Sequence, residues 1–195
     1  AYTGKVIKAV IFDCFGVLAR EGFFPFLDKY FAENDEERQI AVATMKRMGA
    51  GIISHDDCIA ELAELAGISF ADMERILKDN PPDDQLFEFI EHTLKSRCKV
   101  AMLSNEGADR TVELFGEHRA SLFDSIVLSY QVGMVKPDAV IYRIAAERLD
   151  VLPEECIFVD DVERYCDAAR DVGMQAIWHK NTPQTITKIE ELLRA

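Results

Sequence analysis

No run of 18 consecutive apolar residues occurs in this 195-residue chain, which excludes a membrane-spanning helix. The stretch Ala1-Tyr-Thr-Gly-Lys-Val-Ile-Lys8 lacks the apolar centre of a secretion signal. Cys-x-x-Cys pairs are missing too. The five cysteines, Cys14, Cys58, Cys98, Cys156 and Cys166, are scattered and odd in number. They argue against a disulfide framework or a thiolate metal site, and for reduced thiols in a cytoplasmic setting. Positive charge is scarce: 22 Lys and Arg face 35 Asp and Glu, a net charge of −13. Polyanions such as nucleic acid or an anionic membrane would be repelled. A small phosphorylated metabolite would not, because one Lys and a divalent cation can invert the field locally. Internal repeats and low-complexity segments are also absent, and nothing in the chain speaks to oligomeric state.

What is present is an apolar fraction of 49%, enough for a sizeable core. Five short β-like runs stand out: Lys8–Phe12, Val100–Leu103, Ser125–Ser129, Cys156–Val159 and Gln175–His179. Helical periodicity fills the intervals at Gly107–Phe115, Ala139–Leu149 and Arg164–Val172, so strands alternate with helices as in a parallel sheet. Asp138 is placed to cap the second of these helices, and Gly173 to end the third. The interval after the first strand breaks the rhythm. Apolar residues there recur at helical spacing: Phe23/Phe26/Leu27/Tyr30/Phe31, Ile40/Val42/Met45/Met48 and Ile59/Leu62/Ala63/Leu65/Ala66. The rings of Phe23, Phe24, Phe26, Tyr30 and Phe31 read as the core of this insertion. Ser69 with Asp72 signals a fourth helix, Pro81-Pro82 closes the insertion, and Asp83-Asp84 opens a helix over Gln85–Lys95. The expected fold is therefore α/β, a Rossmann-like parallel sheet core of residues 1–18 and 85–195 with a helical bundle inserted at 19–84. The insertion carries 15 Asp and Glu against 7 Lys and Arg, which reads as a solvated helical surface.

Four segments carry groups with chemistry. Ala9-Val-Ile-Phe-Asp13 delivers a carboxylate to a strand end, where it is either a nucleophile, if cations offset its charge, or a cap for the turn at Gly16. Ser104, in Met102-Leu-Ser-Asn-Glu-Gly107, is a strand-end hydroxyl followed by backbone N–H groups, an anion cradle or a plain helix cap. Lys136, in Gly133-Met-Val-Lys-Pro-Asp138, can neutralise both an aspartate and an incoming phosphate. Asp160 and Asp161 leave a buried apolar run together, which suits a hard cation such as Mg²⁺ or, failing that, a pair of helix caps.

In order and spacing these segments resemble the four motifs of the haloacid dehalogenase-like superfamily, mostly Mg²⁺-dependent phosphatases, and the inserted bundle resembles that family's type-1 cap. The resemblance covers nearly the whole chain. It implies that Asp13 is the nucleophile, Ser104 with the adjoining Asn105 and Lys136 the phosphate ligands, and Asp13, Asp160, Asp161 and the carbonyl of Phe15 the metal site. The expected activity is hydrolysis of a small phosphomonoester through an aspartyl-phosphate, with Mg²⁺ as cofactor.

Two positions depart from the pattern. Family phosphatases have an Asp two residues after the nucleophile that protonates the leaving oxygen and then activates water; here Phe15 stands there. Losing a general acid–base is worth roughly 10²–10⁴ in rate, about 3–5 kcal/mol of barrier, so a slow enzyme is expected. Tyr165 replaces an Asn that supports the lysine in many relatives, which predicts a less firmly held Lys136. The rival reading is a non-catalytic relative that binds phosphate or a protein. A third is a 2-haloacid dehalogenase, whose members carry an aromatic residue at the Phe15 position but need no Mg²⁺ and lack the Asp160-Asp161 pair. His55, His92, His118 and His179 fall in no motif, and Trp178 reads as packing.

Overall fold

A computed structural model describes residues 6–49 and 52–194, so most of the Ala1–Lys8 segment lies outside the described residues. The chain opens with strand β1 (Ala9–Phe12), followed by helices α1 (Phe23–Tyr30), α2 (Asp35–Gly49), α3 (His55–Ala66) and α4 (Phe70–Lys78). Helix α5 (Asp84–Phe89) runs on as a π-helical turn over Ile90–Leu94 into β2 (Lys99–Ser104), α6 (Thr111–Ala120) and β3 (Ser125–Leu128). Then come α7 (Ser129–Val132), α8 (Ala139–Arg148), β4 (Cys156–Asp160), α9 (Glu163–Asp171), β5 (Gln175–Trp178) and α10 (Thr182–Arg194).

The strands form one wholly parallel sheet in the order β3-β2-β1-β4-β5, so the fold is the expected Rossmann-like α/β core. Every residue of β1 and β4 is buried, because helices cover both faces of a parallel sheet. The two-residue period of the strands divides the core. Val10, Phe12, Val100, Met102, Ile157 and Val159 pack on one face with Leu86, Phe87, Ile90 and Ile189. Ala9, Ile11, Ala101, Leu103 and Phe158 pack on the other with Ile141, Tyr142, Ala145 and Ala169. Sequential strands lie to either side of β1, which places the switch in strand order between β1 and β4, where open α/β sheets bind their ligands.

Residues Glu21–Asn80 form a separate compact unit of helices. The chain on either side of it is zipped together first: Arg20 N–H donates to the Pro81 carbonyl at 2.9 Å, Ala19 pairs with Pro82, and Asp83 N–H donates to Leu18 at 2.9 Å. Residues 19–20 and 81–84 fall with the sheet unit; the expected border at 18/19 lies within this paired stem and the one at 84/85 just beyond it, at the start of α5. Within the helical unit Phe23, Phe26, Leu27, Phe31, Ala41, Ile59, Leu62 and Met73 make the core. Phe24 and Ile40 depart from the expected pattern, being 51% and 47% exposed. Each sits about 100° round its helix from a buried neighbour, Phe23 and Ala41 respectively. Ser69 caps α4 by accepting the Asp72 N–H, as its sequence signal predicts.

One other expectation needs revision. The helix predicted from Gly107 starts only at Thr111, because Asp109 Oδ1 accepts the Thr111 N–H at 3.0 Å and holds a turn there. It is also interrupted by Gly116, at φ 75° and ψ 163°. Asp138 does cap α8, through the Val140 N–H.

Candidate active site

Three adjacent parallel strands, β2, β1 and β4, end on one edge of the sheet and bring Ser104, Asp13 and Asp160 to it. Asp13 continues the sheet ladder by one bond, its N–H donating to the Val159 carbonyl at 2.9 Å. The backbone then doubles back, with Leu18 and Ala19 N–H both donating to the Cys14 carbonyl. Gly16 sits inside this turn at φ 81°. A side chain there would force a shift: a Cβ would lie 2.2 Å from Asp161 Oδ2. Gly16 is thus the opening through which the Asp161 carboxylate reaches the Asp13 loop.

Lys136 is the cation of the site. Its side chain is 1% exposed, and its Nζ donates to Asp13 Oδ1 at 2.8 Å and Asp160 Oδ2 at 2.6 Å. The Asp13 Oδ1 atom also accepts the Cys14 N–H at 2.8 Å, which leaves Oδ2 without a hydrogen bond among the described residues. Asp160 is used on both sides, its Oδ1 accepting the Val162 N–H at 2.8 Å. Asn105 clasps the lysine's own backbone, its Oδ1 accepting the Lys136 N–H at 2.8 Å and its Nδ2 donating to the Lys136 carbonyl at 3.1 Å. The Asn105 amide thus ties the end of β2 to the lysine loop.

The Tyr165 position also turns out differently from the expected loosening. Lys136 Nζ lies 5.0 Å from the centre of the Tyr165 ring and 5.5 Å from that of Phe158. The Tyr142 hydroxyl donates to the Tyr165 carbonyl at 3.0 Å and fixes that residue's backbone. A π-face replaces an amide oxygen as the lysine's support, so the cation stays firmly held. Phe15 is half-buried and its ring packs against the apolar cluster on one face of the sheet, so its side chain offers the site no titratable group.

The electrostatics follow from three carboxylates around one ammonium. Oxygens of Asp13, Asp160 and Asp161 all lie within 4.8 Å of one another. Burial, with the Asp13 charge adding to it, pushes Asp160 up to about 7 and Asp161 up to about 6. Burial alone would lower the Lys136 pKa, but Asp13 and Asp160 together raise it, so the ammonium stays charged. Trp178, read from sequence as packing, donates its indole N–H to the Asp161 carbonyl at 2.9 Å and steadies this acidic corner. Glu106, two residues beyond Ser104, is a half-buried carboxyl that feels both Asp13 and Lys136. Neither role was assigned from sequence, although both residues sit at the end of a strand on the site's edge.

A family model, haloacid dehalogenase-like hydrolase, matches residues 7–173. The phosphorylated carbohydrates phosphatase of Thermotoga maritima is 31% identical over 106 residues, covering 53% of this chain and 47% of that enzyme. Bifunctional epoxide hydrolase 2 of Sus scrofa is 36% identical over 70 residues, covering 36% of this chain and 13% of that protein. The match thus spans less than half the length of either curated relative. Among solved structures, a Bacteroides thetaiotaomicron enzyme in complex with magnesium and inorganic phosphate aligns at TM-score 0.62 and 22% identity, covering 89% of this chain and 94% of its own. A dehalogenase with an intermediate complex aligns at TM-score 0.72 and 20% identity, covering 98% of this chain and 99% of its own. These two likenesses concern the fold.

Proposed function

The chain belongs to the haloacid dehalogenase-like hydrolases, and from that premise we propose that it is a Mg²⁺-dependent phosphatase of small phosphomonoesters. The observation that carries this reading is the buried cluster itself: Asp13, Asp160 and Asp161 around the single ammonium of Lys136. Left alone, it holds more negative than positive charge in a buried place, which is costly unless a ligand completes it. The donor set is all oxygen, which fits a hard divalent cation. Asp13, Asp161 and the Phe15 carbonyl would hold it, since both oxygens of Asp160 already serve Lys136 and the Val162 N–H. Bound there, Mg²⁺ would neutralise charge on the phosphoryl oxygens.

The residues divide the work. Asp13 Oδ1 is fixed by the Cys14 N–H and Lys136, so Oδ2 is the atom presented to phosphorus. Lys136 offsets the repulsion between that carboxylate and the incoming phosphate. Ser104 and the backbone that follows β2 receive phosphoryl oxygens. Phe15 supplies no proton for the leaving oxygen. The Thermotoga and Bacteroides proteins support the reading, one named for phosphorylated carbohydrates and the other bound to magnesium and phosphate.

A screen of sugar, nucleotide, aryl and acyl phosphates with and without Mg²⁺ tests it. Turnover should require Mg²⁺ and disappear in Asp13→Asn, and Mg²⁺ should bind Asp161→Asn more weakly than wild type in calorimetric titration. Equal Mg²⁺ affinity in the two proteins overturns the metal site. One observation favours a second reading: Phe15 matches the aromatic residue of the family's dehalogenases, and a dehalogenase is among the structural neighbours. Halide release from 2-haloacids without Mg²⁺ would establish that reading instead. Mg²⁺ binding with no turnover and no phosphate adduct would leave a binding protein.

A further inference from the structure

We propose that Glu106 is the general acid and base of this site, taking over the role that Phe15 cannot fill; the assignment rests on the phosphatase reading. Glu106 leaves the end of β2, the strand paired directly with β1 in the register Phe12 to Met102, so it emerges beside the Asp13 loop. Its backbone is locked from two directions. The Glu106 carbonyl accepts the Ser129 hydroxyl at 3.1 Å and the Tyr130 N–H at 3.2 Å, while the preceding Asn105 clasps the Lys136 backbone. The side chain is half-buried and lies within the electrostatic reach of Asp13 and Cys14 on the nucleophile loop, of Lys136, and of Arg110 at the start of α6. Among the described residues no side-chain hydrogen bond or ion pair holds this carboxyl.

Burial, with the Asp13 charge adding to it and Arg110 and Lys136 opposing, pushes Glu106 up to about 7. A carboxyl there can give a proton in one half-reaction and take one in the other near neutral pH. In the first, Asp13 Oδ2 bonds to phosphorus, the bond from phosphorus to the leaving oxygen breaks, and the Glu106 proton passes to that oxygen. This yields the alcohol, the aspartyl-phosphate and the Glu106 carboxylate. In the second, Glu106 takes a proton from water as its oxygen bonds to phosphorus. The bond from phosphorus to Asp13 breaks, releasing hydrogen phosphate and restoring both starting groups. The identity of residue 15 then sets where the proton comes from and leaves the reaction order unchanged.

The test compares wild type, Glu106→Gln and Glu106→Asp on p-nitrophenyl phosphate, whose leaving group needs no proton, and on an alkyl phosphate. Glu106→Gln should lose on the order of 100-fold or more in kcat/KM on the alkyl ester and less than about 10-fold on the aryl ester. The limb of its pH profile near neutrality should vanish, and rapid-quench mass measurement should show a longer-lived phosphate adduct. Glu106→Asp should recover part of both effects. Equal losses on the two esters with an unchanged pH profile would make Glu106 a packing residue and overturn the assignment while the phosphatase reading stands. A wild type that hydrolyses neither ester and forms no adduct overturns both.

Discussion

Both units of this chain carry exposed ion pairs, but among the described residues the buried ones lie in the sheet unit. In the helical unit the ion pairs Arg38–Asp28, Arg47–Glu61, Arg75–Asp72 and Lys78–Glu74 all lie at the surface, each partner at least 33% exposed. In the sheet unit Lys136, Asp13 and Asp160 are 1%, 11% and 0% exposed, although β1 is wholly apolar and β4 is apolar up to Asp160 itself. Exposed pairs contribute about 0–1 kcal/mol and can drift freely among related sequences. Buried charges contribute little net stability and are retained for chemistry. The helical unit shows that this chain can build an apolar core without buried charge, so the cluster at the sheet edge marks function.

The sharpest way to break that contrast is to remove one cation from each unit. Lys136→Met leaves Asp13 and Asp160 buried without their ammonium and should destabilise the protein by about 3–5 kcal/mol in urea unfolding. Arg75→Met, which frees an exposed Asp72, should cost less than about 1 kcal/mol. If both variants lose the same amount, the buried cluster is a stability device after all. Next in size is Gly16→Ala. Its methyl would meet Asp161 Oδ2 at 2.2 Å in a backbone held at φ 81°, so Asp161 must move. We expect a stability loss of about 1–3 kcal/mol and, beyond it, weaker Mg²⁺ binding in calorimetry. A variant with native Mg²⁺ affinity would show that Asp161 need not approach the turn.

Much of this was legible in the sequence, for a reason that differs between the fold and the site. The strands announced themselves because parallel strands are buried on both faces and read as short continuous apolar runs, such as Ala9-Val-Ile-Phe12 and Cys156-Ile-Phe-Val159. A charged residue ending such a run, as Asp13 and Asp160 do, has few structural explanations. The start of α6 was illegible because Asp109 binds its own backbone two residues on, a local contest that periodicity does not register. The supports of the site were hidden for another reason. Asn105 holds residue 136, Trp178 holds residue 161 and Tyr142 holds residue 165, and no local pattern encodes a contact across so many residues. Lys136 shows the consequence. Its string was readable, but the ring that supports it looked like a defect until the fold brought Tyr165 under the ammonium.

A smaller effect belongs to the helical unit. Ser69→Ala removes the hydroxyl that accepts the Asp72 N–H at 3.1 Å and should cost about 1 kcal/mol by thermal or urea unfolding, leaving the proposed chemistry at the sheet edge untouched. A loss of activity larger than the loss of stability would mean that the helical unit contributes more to turnover than its own packing.

The smallest effect is a pH slope from His179 in the sheet unit, a mild case of the burial that shapes the active site. Its N–H donates to the Asp160 carbonyl at 2.9 Å and its ring Nδ1 lies 2.9 Å from the Thr185 hydroxyl, which holds the imidazole half-buried. Burial lowers its pKa below the ordinary 6.5, with the Asp83 charge opposing. The folded protein therefore binds this proton less readily than the unfolded chain does. Stability from His179 is fully present above about 6.5 and is lost as pH falls through the lower folded value. In His179→Gln that part of the slope should disappear. Urea midpoints at two pH values, one above 6.5 and one well below it, should therefore differ less in the variant than in wild type. An unchanged difference would mean that the imidazole finds equal solvation folded and unfolded, and that burial in this unit discriminates only against the carboxylates around Lys136.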